Sequence, residues 1–314
     1  MTVSYSEPLT QAWNRMRLAL LKPFDLHKWF VVGFTAFLAG LADSHQGSGG
    51  SRGHWNTNFR DILDFPHKAW VWLGNHPAWA VVIAFIAFAI LVLGIVLLWL
   101  SSRGQFMFLD NVVHNRAEIA KPWNDYRKEG DSLFLWRLVF HLAILAAFVL
   151  VTILFFTTAS RIYEETRFVP LPVSWMLGMG ALFLVLIAVT GYIATFLKDF
   201  VVPIMAKNRV SATKAWALFM PLFREHAGSF ILYGLVIFAL IIAFIVFVVI
   251  AGLVTCCIGW FLLVIPYIGT VVTLPFWYTL RAFSLEFLAQ FGPDYEIFPP
   301  PAQPPSAEPS PARL

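Results

Sequence analysis

An all-α, polytopic transmembrane bundle of about six spans, with amphipathic helices along its cytoplasmic face, is the fold class this sequence predicts. A 55-residue run, His226 to Leu280, contains no Asp, Glu, Lys or Arg. At about 1.5 Å per helical residue it is long enough to cross a hydrocarbon core of about 30 Å twice. Composition agrees: 59% of residues are hydrophobic and 13% charged, against roughly 45 to 50% apolar and 25% charged in soluble domains. Mean hydropathy is +0.72. Apolar runs also recur through the chain with short connections, which leaves no room for a separate soluble catalytic domain.

Residues 1–28 form a cytoplasmic amphipathic segment that carries Glu7 and Asp25 and lacks the uninterrupted apolar core of a cleavable signal. Spans follow near 29–42, 78–100, 138–160, 173–197, 230–254 and 258–280, inside a membrane domain of 29–291. The first is short against the usual requirement of about 17 to 25 residues, so it either recruits flanking residues or dips into the membrane. Six crossings put 17 of the 22 Lys and Arg residues on one side and five on the other. The richer side faces the cytoplasm and holds both termini, as expected of an inner-membrane protein. Residues 292–314, with prolines from Pro299 to Pro311, form a disordered tail. The first external loop is Gly-rich around Gly47 to Gly53 and amphipathic from Phe59, as suits an interfacial segment.

The net charge of +4 and a pI near 9.1 come from cations beside the spans rather than from one basic patch. Membrane topology accounts for them, and no nucleic acid is expected as a partner.

Three cytoplasmic segments share an order of tryptophan, charged break and aromatic span start. Ala12-Trp13 leads to Lys22 and Trp29; Pro122-Trp123 to Arg127-Lys128-Glu129-Gly130 and Phe134; Ala215-Trp216 to Arg224-Glu225 and Phe230. Arg116 and Arg209, each preceded by Asn, stand the same distance before Trp123 and Trp216. The pattern reads as three pseudo-repeats of an amphipathic helix plus a hairpin, with Trp13, Trp123 and Trp216 as interfacial anchors.

Catalytic patterns are missing: HExxH, GxSxG, Walker A and GxGxxG do not occur, and no enzyme activity or cofactor is expected. Cys256 and Cys257 are adjacent in apolar surroundings and read as buried small residues. His45, His54, His67 and His76 have the irregular spacing of solvated histidines, so no metal site is expected. No span carries a mid-membrane acid or base of the kind ion-coupled transporters use, and His141 lies near Arg137 at a span end. Gly259, Pro266, Gly269 and Pro275 interrupt the last span; a kinked packing helix is the reading preferred over a cavity-lining broken helix.

The densest polar constellation lies just inside the cytoplasm. Arg103, Asp110, Asn111, Asn115 and Arg116 extend one span, Lys198, Asp199, Asn208 and Arg209 the next, and Arg281 and Glu286 the last. Converging beneath the bundle, these residues would hold anionic lipid headgroups or a protein partner. The stretch from Asp199 through Pro203, Lys207-Asn208-Arg209 and Lys214-Ala215-Trp216 resembles the segment after the fourth span of uncharacterised prokaryotic six-span proteins. Those are similar to the membrane domain of glycerophosphoryl diester phosphodiesterases, and the resemblance covers most of Leu9 to Phe298. It implies a membrane domain without the catalytic barrel, whose acidic and histidine motifs are missing here, so no phosphodiesterase activity follows.

The function expected is therefore non-enzymatic: a membrane protein that organises lipids or anchors a partner through its cytoplasmic face. The alternative is a permease or lipid translocator using the broken last span, which requires a polar cavity near Pro266 to Pro275.

Overall fold

The computed structural model describes residues 3–42, 59–165, 172–255, 262–263 and 265–299. Its helices are α1 (Ser6–Leu20), α2 (Leu26–Gly40), α3 (Phe59–Asn75), α4 (Pro77–Val113), α5 (Ala120–Asp125), α6 (Arg127–Glu165), α7 (Val173–Phe196), α8 (Val202–Asn208), α9 (Ala212–Glu225), α10 (Ala227–Val254), α11 (Pro266–Val272) and α12 (Leu274–Ala289). A π-helical turn, Leu197–Val201, joins α7 to α8 without a break, and Pro293–Tyr295 forms a 3-10 turn. Among the described residues there is no β-strand.

Among the described residues four helices are long and apolar enough to cross a membrane: Pro77–Val113, Arg127–Ile162, Val173–Asn208 and Ala227–Val254. Four of the six expected spans thus have a helix of spanning length. The apolar segment near 29–42 becomes α2, 15 residues long, and it lies beside the polar end of α4 rather than beside its apolar half. Its start meets Asn115 and its end meets Ser101 and Gln105. The segment near 258–280 is described only in part: α11 and α12 divide at Thr273, before Pro275, and neither is long enough to span. Proline at the first turn of each has no backbone donor and so favours a new helix start there.

The termini have local causes. The Asp25 carboxylate accepts from the backbone N–H groups of His27 (2.9 Å) and Lys28 (3.4 Å), capping α2. At the other end of α2, the Ala39 carbonyl accepts from Ser101 Oγ (2.8 Å) and Gln105 Nε2 (3.0 Å), so that otherwise orphaned group is satisfied across a helix interface. The π turn precedes Pro203, whose missing N–H and ring displace the carbonyl four residues earlier, at Asp199; widening that turn keeps the helix continuous. α4 and α8 end alike. Asn115 (φ 52°) and Arg209 (φ 54°) are left-handed, and the next residues donate five back, Arg116 to Asn111 (3.2 Å) and Val210 to Met205 (3.4 Å). The two caps match Asn115 with Arg209, one residue out of the register in which the Asn-Arg pairs align.

The packed core sits at one end of the long helices. Residues 101–112 of α4, 199–206 across the π turn and α8, and 281–288 of α12 are buried on every face. Around them, α1 packs on α12, α5 on α4, and α9 on α8 and the π turn, while α2 and α6 both flank α4. In each of α1, α5 and α9 the residue before the tryptophan, Ala12, Pro122 or Ala215, is the buried one. An aromatic cluster of Phe200, Phe219, Phe230, Tyr233 and Phe287 fills the interior, with ring centroids 4.6 to 6.0 Å apart for neighbours such as Tyr233–Phe287 and Phe200–Phe287. Gly104 lets α2 and α4 touch: a Cβ there would meet the Ala39 nitrogen and the Leu38 carbonyl carbon at 2.6 Å. The proline-rich tail begins against this body. Lys207 Nζ donates to the carbonyls of Pro293 and Asp294 at 2.9 Å, and the buried Phe298 ring lies 3.7 Å beneath the Arg15 guanidinium. Residues 300–314 lie outside the described residues.

Candidate functional site

The polar residues singled out from the sequence are mostly engaged with one another. Asp110, its side chain 2% exposed, accepts on Oδ2 from Arg116 Nη2 (2.6 Å) and Nε (2.9 Å), and on Oδ1 from the Tyr126 hydroxyl (3.4 Å). The side-on guanidinium geometry is that of a strong, oriented ion pair. Burial, reinforced by the Asp110 charge, raises the Tyr126 pKa above the ordinary 10.0, so the phenol stays neutral and donates. The left-handed Arg209 lies over the Tyr126 ring at 4.1 Å, donates to the Asp125 carbonyl (2.7 Å) and stands 3.8 Å from Glu129. One cluster thus joins the ends of α4 and α8 through the α5–α6 junction.

A second cluster lies between the π turn and α12. The Arg281 side chain, 1% exposed, donates from Nη1 to the Lys198 carbonyl (2.5 Å) and stands 4.0 Å from Asp199, whose other oxygen accepts from the Tyr233 hydroxyl (3.0 Å). Lys198 Nζ sits 5.7 Å from the Trp277 ring. Arg103 forms a third group: it donates from Nη2 (2.8 Å) and Nε (3.2 Å) to Asp131, lies over the rings of Trp99 and Trp123 at 4.6 and 4.9 Å, and fits there because Gly130 has no Cβ. Asn115 accepts from Lys28 Nζ (2.8 Å), and Asn208 donates to the Ile204 carbonyl of its own helix (3.2 Å). Glu286 pairs with Arg15.

These residues lie at one end of the long helices, most of them in three groups whose charges face one another. Of the expected anchors, Trp13 is exposed, whereas Trp123 packs edge-on against Trp99 (5.6 Å) and Trp216 stacks on Trp136 (5.6 Å). The partners that complete the groups, Tyr126, Glu129, Asp131 and Tyr233, are not among the residues chosen from the sequence. Glu129 and Asp131 lie in the first turns of α6, in or next to the charged break, while Tyr233 lies inside the charge-free run and carries no signal there.

The exposed cations lie around this core. Arg17 on α1, Lys121 on α5, Arg127 and Lys128 at the start of α6, and Lys214 and Arg224 on α9 face outward. His45 and His54 lie outside the described residues. His76 stacks on Trp72 (4.6 Å), and among the described residues no three His, Cys, Asp or Glu side chains are grouped to hold a metal ion. His141 Nδ1 is bonded to the Arg137 carbonyl at 2.6 Å.

A cleft of about 740 Å³ opens between α10 and α11–α12, lined at one end by Leu9, Thr10 and Trp13 of α1. Phe244, Phe247, Val272 and Phe276 wall it, with Phe244 stacked on Phe276 at 3.8 Å. Four threonines line it, Thr10, Thr255, Thr273 and Thr279, and each hydroxyl donates to the carbonyl four residues earlier in its own helix (2.7 to 2.9 Å). Its walls are apolar, whereas the translocator alternative asked for a polar cavity near Pro266 to Pro275.

No curated protein matches this chain, and no solved structure does. The family that matches is one of unknown function, and no match supports the relationship to the glycerophosphoryl diester phosphodiesterase membrane domain expected from the Asp199 to Trp216 stretch. Its model covers residues 5–292, which takes in every helix described above, and the chain thus belongs to the family of unknown function DUF7544.

Proposed function

We propose that this protein is a non-enzymatic, lipid-organising protein of the inner membrane, with both termini in the cytoplasm. One observation carries the reading: the apolar windows of the four long helices are at most 11% buried, while the same helices are locked together at their polar ends. Apolar surface of that extent must be covered, and in a bilayer lipid chains cover it. The exposed cations on α1, α5, α6 and α9 surround the locked end, where anionic headgroups would meet them. Orientation rests on the 17-to-five asymmetry of Lys and Arg.

A threefold origin belongs to the same proposal. It is supported by the cyclic packing, in which α1 rests on α12, α5 on α4, and α9 on α8, each amphipathic helix docking on the exit helix of the preceding unit. The shared caps at Asn115 and Arg209 add to it.

Native mass spectrometry of the full chain in nanodiscs of mixed zwitterionic and anionic phospholipid tests the function. The wild-type protein should retain anionic lipid selectively. The combined variant Lys121→Gln, Arg127→Gln, Lys128→Gln and Lys214→Gln should lose that selectivity by more than about fivefold, since each surface cation contributes about 1 kcal/mol. Unchanged selectivity overturns the proposal, and a stoichiometric protein partner in place of lipid replaces it with an anchoring role.

A further inference from the structure

We infer that the cleft between α10 and α11–α12 holds one acyl chain of an anionic phospholipid, with Arg17 meeting its headgroup; this rests on the lipid reading above and names the site.

Length and lining select the occupant. From Leu240 to Thr255 the cleft follows α10 for about 22 Å, longer than the roughly 15 Å depth of one leaflet of a 30 Å hydrocarbon core. Among the described lining residues each threonine already donates within its own helix, and the others are Phe, Leu, Val, Ala, Gly and Pro, apart from Trp13. Such a wall offers few partners to the N–H and C=O groups of an extended peptide. A flexible hydrocarbon chain needs none and matches the length.

Charge selects the headgroup. Thr10 and Trp13 line the α1 end of the cleft, and Arg17 follows Trp13 by four residues on the same helical face. Arg17 is exposed and forms no ion pair among the described residues, unlike Arg15, which pairs with Glu286. A guanidinium beside an amphipathic indole at the mouth of a hydrocarbon slot suits a phosphate on an acyl chain.

The test is photocrosslinking of the full chain in nanodiscs of phosphatidylethanolamine and phosphatidylglycerol, with the phosphatidylglycerol carrying a diazirine on one acyl chain. The expected result is adducts concentrated on Phe244, Phe247, Ala251 and Phe276, above the level on the exposed Ile83 to Val96 face of α4. Ala251→Phe, or Thr255→Phe at the end away from α1 should the first fail to fold, should lower the cleft adducts about tenfold and leave the α4 adducts unchanged. Arg17→Gln should lower the preference for phosphatidylglycerol over phosphatidylethanolamine in the cleft about fivefold. Adducts spread evenly over all exposed apolar faces overturn the cleft assignment alone, while a wild-type protein without selective anionic lipid overturns the lipid reading beneath it. Cleft adducts that persist in both filling variants overturn the assignment too, as would a crosslink from the cleft to a second copy.

Discussion

The two halves of the long helices obey different rules. At one end, residues 101–112 of α4 and 281–288 of α12 are buried on all sides among arginines, carboxylates and stacked rings. At the other, residues 77–97 of the same α4 face outward, and the apolar windows of α4, α6 and α10 are only 6% buried. The more hydrophobic half is the less packed. In water the opposite would hold, because burial of apolar surface drives folding there; in lipid, the tails solvate Leu and Ile as well as another helix does, and association must come from close packing and polar contacts. The polar end supplies both, through Gly104 against α2 and through the buried ion pairs.

The comparison can be pressed hardest at Arg281. Arg281→Met removes the guanidinium that stands 4.0 Å from the buried Asp199 carboxylate, and should cost about 3 to 5 kcal/mol in thermal or chemical unfolding of the detergent-solubilised protein. Adding Asp199→Leu should recover much of that loss; no recovery would show that the pair is not the coupled unit described. Next comes Gly104→Ala, whose new Cβ meets α2 backbone that can only retreat. A loss of about 1 to 3 kcal/mol is expected, and a neutral result would mean that α2 is free to shift.

Tyr126 gives a smaller, pH-dependent effect. Its pKa is raised in the folded state, first by burial and then by the charge of Asp110, so the folded form holds the proton more tightly than the unfolded one. The resulting stability is complete below the unfolded value near 10.0 and fades as pH rises through the folded value. Melting curves of wild type and Tyr126→Phe should therefore converge between pH 8 and pH 11, by about 1 kcal/mol or less. Smallest of all are substitutions in the splayed halves. Leu184→Ala and Phe238→Ala, at positions 68% and 62% exposed, should change stability by less than about 0.5 kcal/mol. A large loss at either site would mean that the apolar halves pack on something, a neighbouring helix or a second chain, and would remove the contrast between the halves.

Much of the architecture is legible from hydropathy. Apolar segments near 78–100, 138–160, 173–197 and 230–254 each lie within or nearly within one of the four long helices, because a charge-free run of that length has few other stable outcomes in a bilayer. The segment near 29–42 shows where the same signal falls short. A 15-residue helix whose last-turn Ala39 carbonyl accepts from Ser101 and Gln105 is as apolar as a span, yet it packs beside the polar end of α4. Hydropathy counts residues and is blind to which part of a neighbour they touch. The polar residues at the helix ends were equally visible, but not their use: Arg103, Arg116 and Arg281 read as cations available to a ligand until Asp131, Asp110 and Asp199 are seen opposite them.

By itself, then, the sequence determined the solvent this chain folds in, the all-helical class, and the concentration of charge at one end of its helices. These follow from composition and periodicity, which act locally along the chain. Only the tertiary structure decided that the charges pair across elements up to 271 residues apart, as between Arg15 and Glu286, and that α10 and α11–α12 stand far enough apart to leave a cleft of about 740 Å³. Pairing and spacing depend on which helices meet and at what distance, and in this protein those distances are set by a glycine, a π turn and two left-handed caps rather than by the apolar runs that mark the spans.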